Sequence, residues 1–424
     1  MNSQAKRSAT GWEKILVISL FFLWALTSNL LPVLIPHLKQ AAQVNTFQAS
    51  LVDSAYWIAY FLLAIPAGFV MKRFGYRNTI VAGLLMASVG AFLFPWAADA
   101  KQYEYFLFAL FIVASGMTFL EVSANPYIRE LGSPETYPQR LNFAQAFNGL
   151  GAVVATNFLN HLILSDELVK TDSELKQISP ELLNSYYTDL FSSVKLPYVI
   201  IGIVLLVFAL IFTVARFNNT QRKKLAGSGL FNPFRYPALS WSMLAQFFYV
   251  GAQVCISSFF ILYAQSIAGL SINTANYLLG LLLVAFMIGR YVGAILMKKN
   301  EAINLLILYA FINLLLCAVI IFVKGQSGVY AFIGVEYCMS IMYPTIFSQG
   351  VKSMKDKTEI ASSYMVMMII GGALLPPILG IISDSFGSIA WGYTVPLFCF
   401  AVIAVYGIVQ RKQFPTSMNL TNQQ

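Results

Sequence analysis

Apolar residues in this chain neither alternate with polar ones at the period of a strand nor form the single stripe of a surface helix. They run on for 18 or more positions with scarcely a charge. At about 1.5 Å per helical residue, such a run crosses a hydrocarbon layer about 30 Å thick. Runs bounded by charge and by Gly/Pro clusters predict spans at 15–38, 51–71, 79–96, 105–129, 142–164, 197–215, 238–265, 271–297, 302–323, 328–350, 360–382 and 391–410. The first follows MNSQAKRSATGWEK and is too long, and too polar at its far end, for a signal peptide's apolar region. It reads as a retained span.

Composition agrees: 58% of the 424 residues are apolar and 11% charged, against about a quarter charged in soluble domains. Lys and Arg then set the orientation. Twenty of the 27 fall in the tails and loops of one side, six on the other, and Arg290 lies inside a span. Positive charge is retained on the cytoplasmic side, which predicts a multi-pass protein of the cell inner membrane with both termini cytoplasmic. The net charge of +9 is thereby a matter of topology, and no nucleic-acid partner is expected. Cys255, Cys317, Cys338 and Cys399 lie in apolar runs without metal-ligand spacing and read as small buried hydrophobes; no metal or cofactor is expected. His37 and His161 fall near outer ends of spans, and no Ser/His/Asp set or phosphate loop is visible, so no enzyme is expected.

The stretch RFNNTQRKKLAGSGLFNPFR is polar, basic and punctuated by Gly and Pro, as a linker would be. It divides a tail 1–14, a six-helix half 15–215, a linker 216–237, a second half 238–410 and a tail 411–424. Traces of duplication support the halves: PAGFVMKR closes span two and YVGAILMKK span eight, while ANPYI in span four answers MYPTI in span ten. The predicted fold is an all-α membrane protein of twelve helices in two pseudo-symmetric halves, with a site between them near the midplane.

Ionisable groups inside the hydrocarbon region cost roughly 2.5 to 3.5 kcal/mol each, so each asks for a reason. Glu121 sits in the middle of span four, Arg290 in span eight and Glu336 in span ten; Asp53 opens span two and Asp384 closes span eleven. Glu121 shares a helix face with Thr118 and Asn125, next to Pro126, and is a credible proton carrier. Arg290 lies between Gly289 and Gly293, which admit a helix or a ligand close to the backbone, and its fork of donors can grip vicinal hydroxyls or a carboxylate. Polar and aromatic residues recur at helical spacing as Gln246, Tyr249 or Val250, Gln253 and Ser257 in span seven, Asn142, Gln145, Asn148 or Gly149 and Thr156 in span five, and Glu336, Ser340, Tyr343 and Phe347 in span ten. Lipid offers no hydrogen bonds, so these stripes face either neighbouring helices or a wet cavity. Amides, one guanidinium and aromatic faces suit a polyhydroxylated neutral solute, whereas an anionic substrate would call for more buried cations.

SLFFLWALTSNLLPVLIP, AIPAGFVMKRFGYR, FLEVSANPY, LNFAQAFNGLGA, FYVGAQVC, MIGRYVGAILM, MSIMYPTIFSQG and GGALLPPILGIISDSFG occur in that order from Leu20 to Val409. They resemble successive motifs of the fucose-galactose-glucose:proton symporter family of the major facilitator superfamily. The resemblance implies a monomeric, cation-coupled monosaccharide importer working by alternating access in the lipid bilayer. It implies a protonatable Glu121, cavity-lining Asn29, Asn142 and Gln145 from the first half, and Gln253 and Arg290 from the second; Tyr343 joins them from its stripe. Two positions depart from the family pattern: Pro32 stands where a span-one aspartate takes part in proton coupling, and Ser257 replaces a span-seven tryptophan. Asp53 and Glu336 are then the other candidates for carrying a proton or sodium ion, Asp53 alternatively capping its helix. A sodium-coupled symporter, a uniporter and a sugar or drug exporter are the rival functions of the same fold.

Overall fold

The computed structural model describes residues 11–28, 30, 34, 38, 41–43, 46–155, 180–215, 232–323, 325–354 and 357–413. Among these the secondary structure is helical, with no strand. Ten helices are long and apolar enough to cross a bilayer. One of them, Ala55–Ala100, belongs to the helix Thr46–Ala100, which breaks at Gly75 (φ 83°) and so supplies spans two and three. Only glycine takes that left-handed backbone without a Cβ penalty. With Tyr137–Val154, the described part of span five, the twelve predicted segments are accounted for. The linker residues 216–231 lie outside the described residues.

The described residues form two compact units. The first comprises the described parts of Thr10–Ala124 and Leu150–Asn219; the second comprises those of Asn125–Gly149 and Thr220–Gln424. The boundary thus falls within two helices, Tyr103–Glu130 and Tyr137–Val154.

In the first unit, small residues bring spans three and four together. A Cβ at Gly116 would lie 2.4 Å from Ala87 N, and one at Gly90 2.6 Å from Val113 N, so the two backbones are in van der Waals contact. Close backbone approach of this kind replaces the hydrophobic drive that is missing between helices in lipid. The turn at Gly75 is fastened by Arg77, whose Nε donates to the Phe212 carbonyl at 2.8 Å and whose Nη2 donates to that of Thr213, in the last turn of Lys195–Val214. A cation at a helix C-terminus satisfies carbonyls that have no intrahelical donor. The polar segment before span six carries the helix Pro180–Ser193, tied down where Lys101 Nζ donates to Thr188 Oγ1 (2.8 Å) and Lys195 pairs with Asp99. That is the only ion pair among the described residues.

The second unit contains spans seven to twelve and the start of span five. Its long helices are interrupted: span seven breaks at Phe259, span ten at Ser340–Ile341, and span eleven passes through the 3-10 turn Met368–Ile370. In both units apolar side chains stand outward, Leu210 (58% exposed) in the first and Leu315 (70%) in the second, where a soluble protein would show charge. Polar residues such as Glu121, Asn142, Gln246 and Arg290 are buried among apolar ones, as they must be where lipid offers no hydrogen bonds.

Candidate functional site

In the first unit, Glu121 sits mid-helix on Tyr103–Glu130 and is buried (6% exposed). Its neighbour one turn back, Thr118, is not turned to a ligand: its Oγ1 donates to the Ala114 carbonyl at 2.8 Å. Pro126 has no N–H for the carbonyl one turn before it, which loosens the ladder beside Glu121. Two tyrosines of span two, Tyr56 and Tyr60, are near enough to interact electrostatically with this carboxyl. Their hydroxyls lie 3.3 Å apart, their rings 5.2 Å apart, and Trp24 Nε1–H donates to Tyr60 Oη at 2.7 Å. This row of hydroxyl and indole groups beside Glu121 escaped the sequence reading. Its signal was Tyr56 and Tyr60 one helical turn apart in an apolar run.

In the second unit the predicted residues of spans five, eight and ten meet. Gln145 Nε2 donates to Asn125 Oδ1 at 3.1 Å, and Asn125 stands one turn along the helix from Glu121. Arg290, 4% exposed, donates from Nη1 to the Gln145 main-chain carbonyl at 2.7 Å and, at 3.4 Å, to Gln145 Oε1. Its Nε donates to the Ser340 carbonyl at 3.1 Å, and its guanidinium carbon sits 4.3 Å from the centroid of the Phe286 ring. Tyr249, Tyr343 and Glu336 are near enough to interact electrostatically with the guanidinium. A delocalised cation with five donors can be held this way in a membrane interior, where a lysine's point charge cannot. The glycines beside Arg290 admit a helix, not a ligand: a Cβ at Gly289 would lie 2.4 Å from Tyr337 O and one at Gly293 2.2 Å from Ile341 Cγ2, both in span ten.

Glu336 is also buried (2% exposed) and accepts a hydrogen bond from Ser257 Oγ at 2.9 Å, so two separately noted residues are partners. The continuous stripe predicted from Glu336 through Phe347 is corrected by the break at Ser340–Ile341: Ser340 Oγ donates to Tyr337 O, and its carbonyl goes to Arg290. Past the break, Tyr343 and Phe347 stack with centroids 6.0 Å apart, and Tyr249 lies 6.1 Å from Tyr343, giving a buried aromatic wall. Gln253 is half-buried.

Asn142 is fully buried, and its Nδ2 is shared among Pro138 O (2.9 Å), Thr345 Oγ1 (3.3 Å) and Met297 Sδ (3.4 Å). Its Oδ1 has no hydrogen-bond partner among the described residues, nor has Asn125 Nδ2 or Asn148 Nδ2. Each such buried polar atom costs about 1–3 kcal/mol unless something else bonds it. Asn29 lies outside the described residues. The capping alternative for Asp53 is corrected: its helix begins two turns earlier, at Thr46, so Asp53 is not at the N-terminus; its side chain is outside the description.

At the Lys/Arg-rich end, Arg140 gathers the last turn of span four, donating to the carbonyls of Ser133 (2.8 Å), Arg129 (3.2 Å) and Ile128 (3.3 Å). Glu135, in the loop between spans four and five, is held below the usual carboxylate range by hydrogen bonds from Ser133 and from its own backbone, with Lys352 and Arg140 adding to the effect.

The sequence profile of the Major Facilitator Superfamily matches residues 16–369. The chain belongs to that superfamily. It is 40% identical over 400 residues to the L-fucose-proton symporter of Escherichia coli (strain K12), covering 92% of this chain and 91% of that protein. It is 34% identical over 397 residues to the glucose/galactose transporter of Brucella abortus biovar 1 (strain 9-941), covering 93% and 92%. The crystal structure of a Major Facilitator Superfamily transporter, FucP, in the outward conformation superposes with a TM-score of 0.87 at 38% identity, over 94% of this chain and 98% of that one. The chain is therefore a multi-pass membrane transporter with the all-α fold of the superfamily.

Proposed function

We propose that this chain is a secondary active transporter that imports a monosaccharide, fucose, glucose, galactose or a related sugar, together with a proton. The observation that carries the reading is the row of buried carboxamides with unbonded atoms, Asn125, Asn142 and Asn148, beginning one turn from the buried carboxyl of Glu121. A sugar hydroxyl both donates and accepts, and so fits donor Nδ2 groups beside an acceptor Oδ1. Gln145, Gln253 and Arg290 complete the polar lining, and Tyr343 offers a flat face to the sugar's CH groups. The similarity to an L-fucose-proton symporter and to a glucose/galactose transporter supports the same solute class.

Glu121 carries the proton in this reading. A charged carboxylate buried within the hydrocarbon region is expensive, and protonation removes much of the expense. Asp53 and Glu336 remain as further acids on the ion's route. The lysine and arginine asymmetry supports a topology with both termini in the cytoplasm of an inner-membrane protein, which in this reading is a monomer built of halves 15–215 and 238–410 that take turns opening to each side. No bond chemistry is assigned. The test is a panel of radiolabelled monosaccharides on the purified chain in proteoliposomes, with an imposed proton or sodium gradient. Accumulation of one sugar driven by the proton gradient is expected; sodium dependence, or no sugar taken up at all, refutes the reading.

A further inference from the structure

Arg290 is bonded mainly to backbone, which is unusual for a residue whose task is to hold a solute. Its shortest contact, 2.7 Å, is with a main-chain carbonyl 145 positions away, and its Nε is bound to a second main-chain carbonyl, that of Ser340. It therefore ties span five to span ten through span eight. The same seam has further rungs toward the Lys/Arg-rich end. One turn from Gln145, Asn142 Nδ2 reaches Thr345 Oγ1, and at the end of span four Arg129 Nη1 donates to Thr358 Oγ1 at 2.6 Å. On the deep side of Gln145, a Cβ at Gly149 would lie 2.9 Å from Met287 Cβ, so spans five and eight touch directly. Arg290–Gln145 is the deepest polar rung and involves a buried charge. Removing that charge removes two hydrogen bonds to carbonyls and the contact with Phe286 together.

We infer that Arg290 is a positioning residue, a latch that holds span five against spans eight and ten and thereby closes the cytoplasmic end of the path. This rests on the sugar-transport reading for what passes along the path, and on the charge asymmetry for which end is cytoplasmic. Release into the cytoplasm requires spans five and eight to separate, which breaks the bond to the Gln145 carbonyl. Gln145 Oε1, held at only 3.4 Å, is the weaker of the two acceptors and the one a sugar hydroxyl displaces. The latch and the lining thus share Gln145 and Arg290, so occupancy of the site acts directly on the closure.

The test uses the full chain in inside-out vesicles, with Cys255, Cys338 and Cys399 replaced by alanine. Cys317, fully buried in span nine, is kept as a reporter of unfolding. Ser348→Cys supplies the probe position: Ser348 is fully buried and lies about one turn beyond Thr345, toward the Lys/Arg-rich end. A membrane-impermeant maleimide labels it slowly in the parent. Arg290→Ala is expected to raise that rate roughly ten- to hundredfold, the population shift from losing a charge-assisted hydrogen bond of the closed state. Arg290→Lys is expected to label almost as fast, because one ammonium cannot hold both carbonyls. Cys317 is expected to stay protected in both variants. Parental labelling in the variants overturns the latch, as does a rise matched at Cys317, which would mean a general structural role. A parent that binds no monosaccharide while the variants label faster keeps the latch and overturns only the sugar reading.

Discussion

Replacing Glu121 by glutamine separates carrying sugar from accumulating it. The change keeps size and one acceptor but fixes the neutral form, in a position that is 6% exposed beside Tyr56 and Tyr60. Glutamine is nearly isosteric with glutamate and carries no charge to bury, so folding is expected to be preserved. The magnitude follows from charge. One proton moving with each sugar contributes roughly 2.3 kcal/mol per 100 mV of membrane potential. That sustains about a fiftyfold concentration ratio, since 1.4 kcal/mol is about tenfold. Without a titrating carboxyl the ratio falls to unity while the empty and loaded carrier still cross. The assay is counterflow, which needs only exchange, measured beside uptake driven by an imposed gradient in proteoliposomes. Glu121→Gln is expected to keep counterflow and lose concentrative uptake. Full accumulation by this variant refutes the reasoning and transfers the proton to Asp53 or Glu336.

Two further outcomes follow from the geometry. Gln145→Ala removes the donor to Asn125 Oδ1 and one acceptor of Arg290, and Gln253→Ala removes a half-buried amide of span seven. Each is expected to weaken sugar binding by about 1–3 kcal/mol in calorimetry on the purified chain, and unchanged affinity in both removes the proposed lining. Gly116→Val places a side chain where even a Cβ would lie 2.4 Å from Ala87 N and 2.5 Å from Gly83 O. It is expected to lower the thermal midpoint in detergent by the several degrees that about 1–3 kcal/mol of overpacking implies, leaving the sugar specificity of whatever folds unchanged; an unaltered midpoint would show that spans three and four separate without penalty.

Hydropathy along the chain determined the number and order of the spans, because insertion into hydrocarbon depends on the sum over about twenty consecutive residues, a property local in sequence. The same reasoning isolated Glu121, Arg290 and Glu336, since a charge in an apolar run is conspicuous without knowledge of its neighbours. Periodicity was less decisive. It put Thr118 on the face of Glu121, yet the Thr118 hydroxyl turned back onto its own helix, an option every span offers a threonine. It carried one stripe through Ser340, where the helix breaks. The partners were decided by tertiary structure alone: Arg290 with the Gln145 carbonyl, Ser257 with Glu336, and Trp24 with Tyr60. In water such groups are satisfied wherever they fall; in lipid each must find a donor or acceptor on another helix, and that choice rests on which helices touch and at what depth.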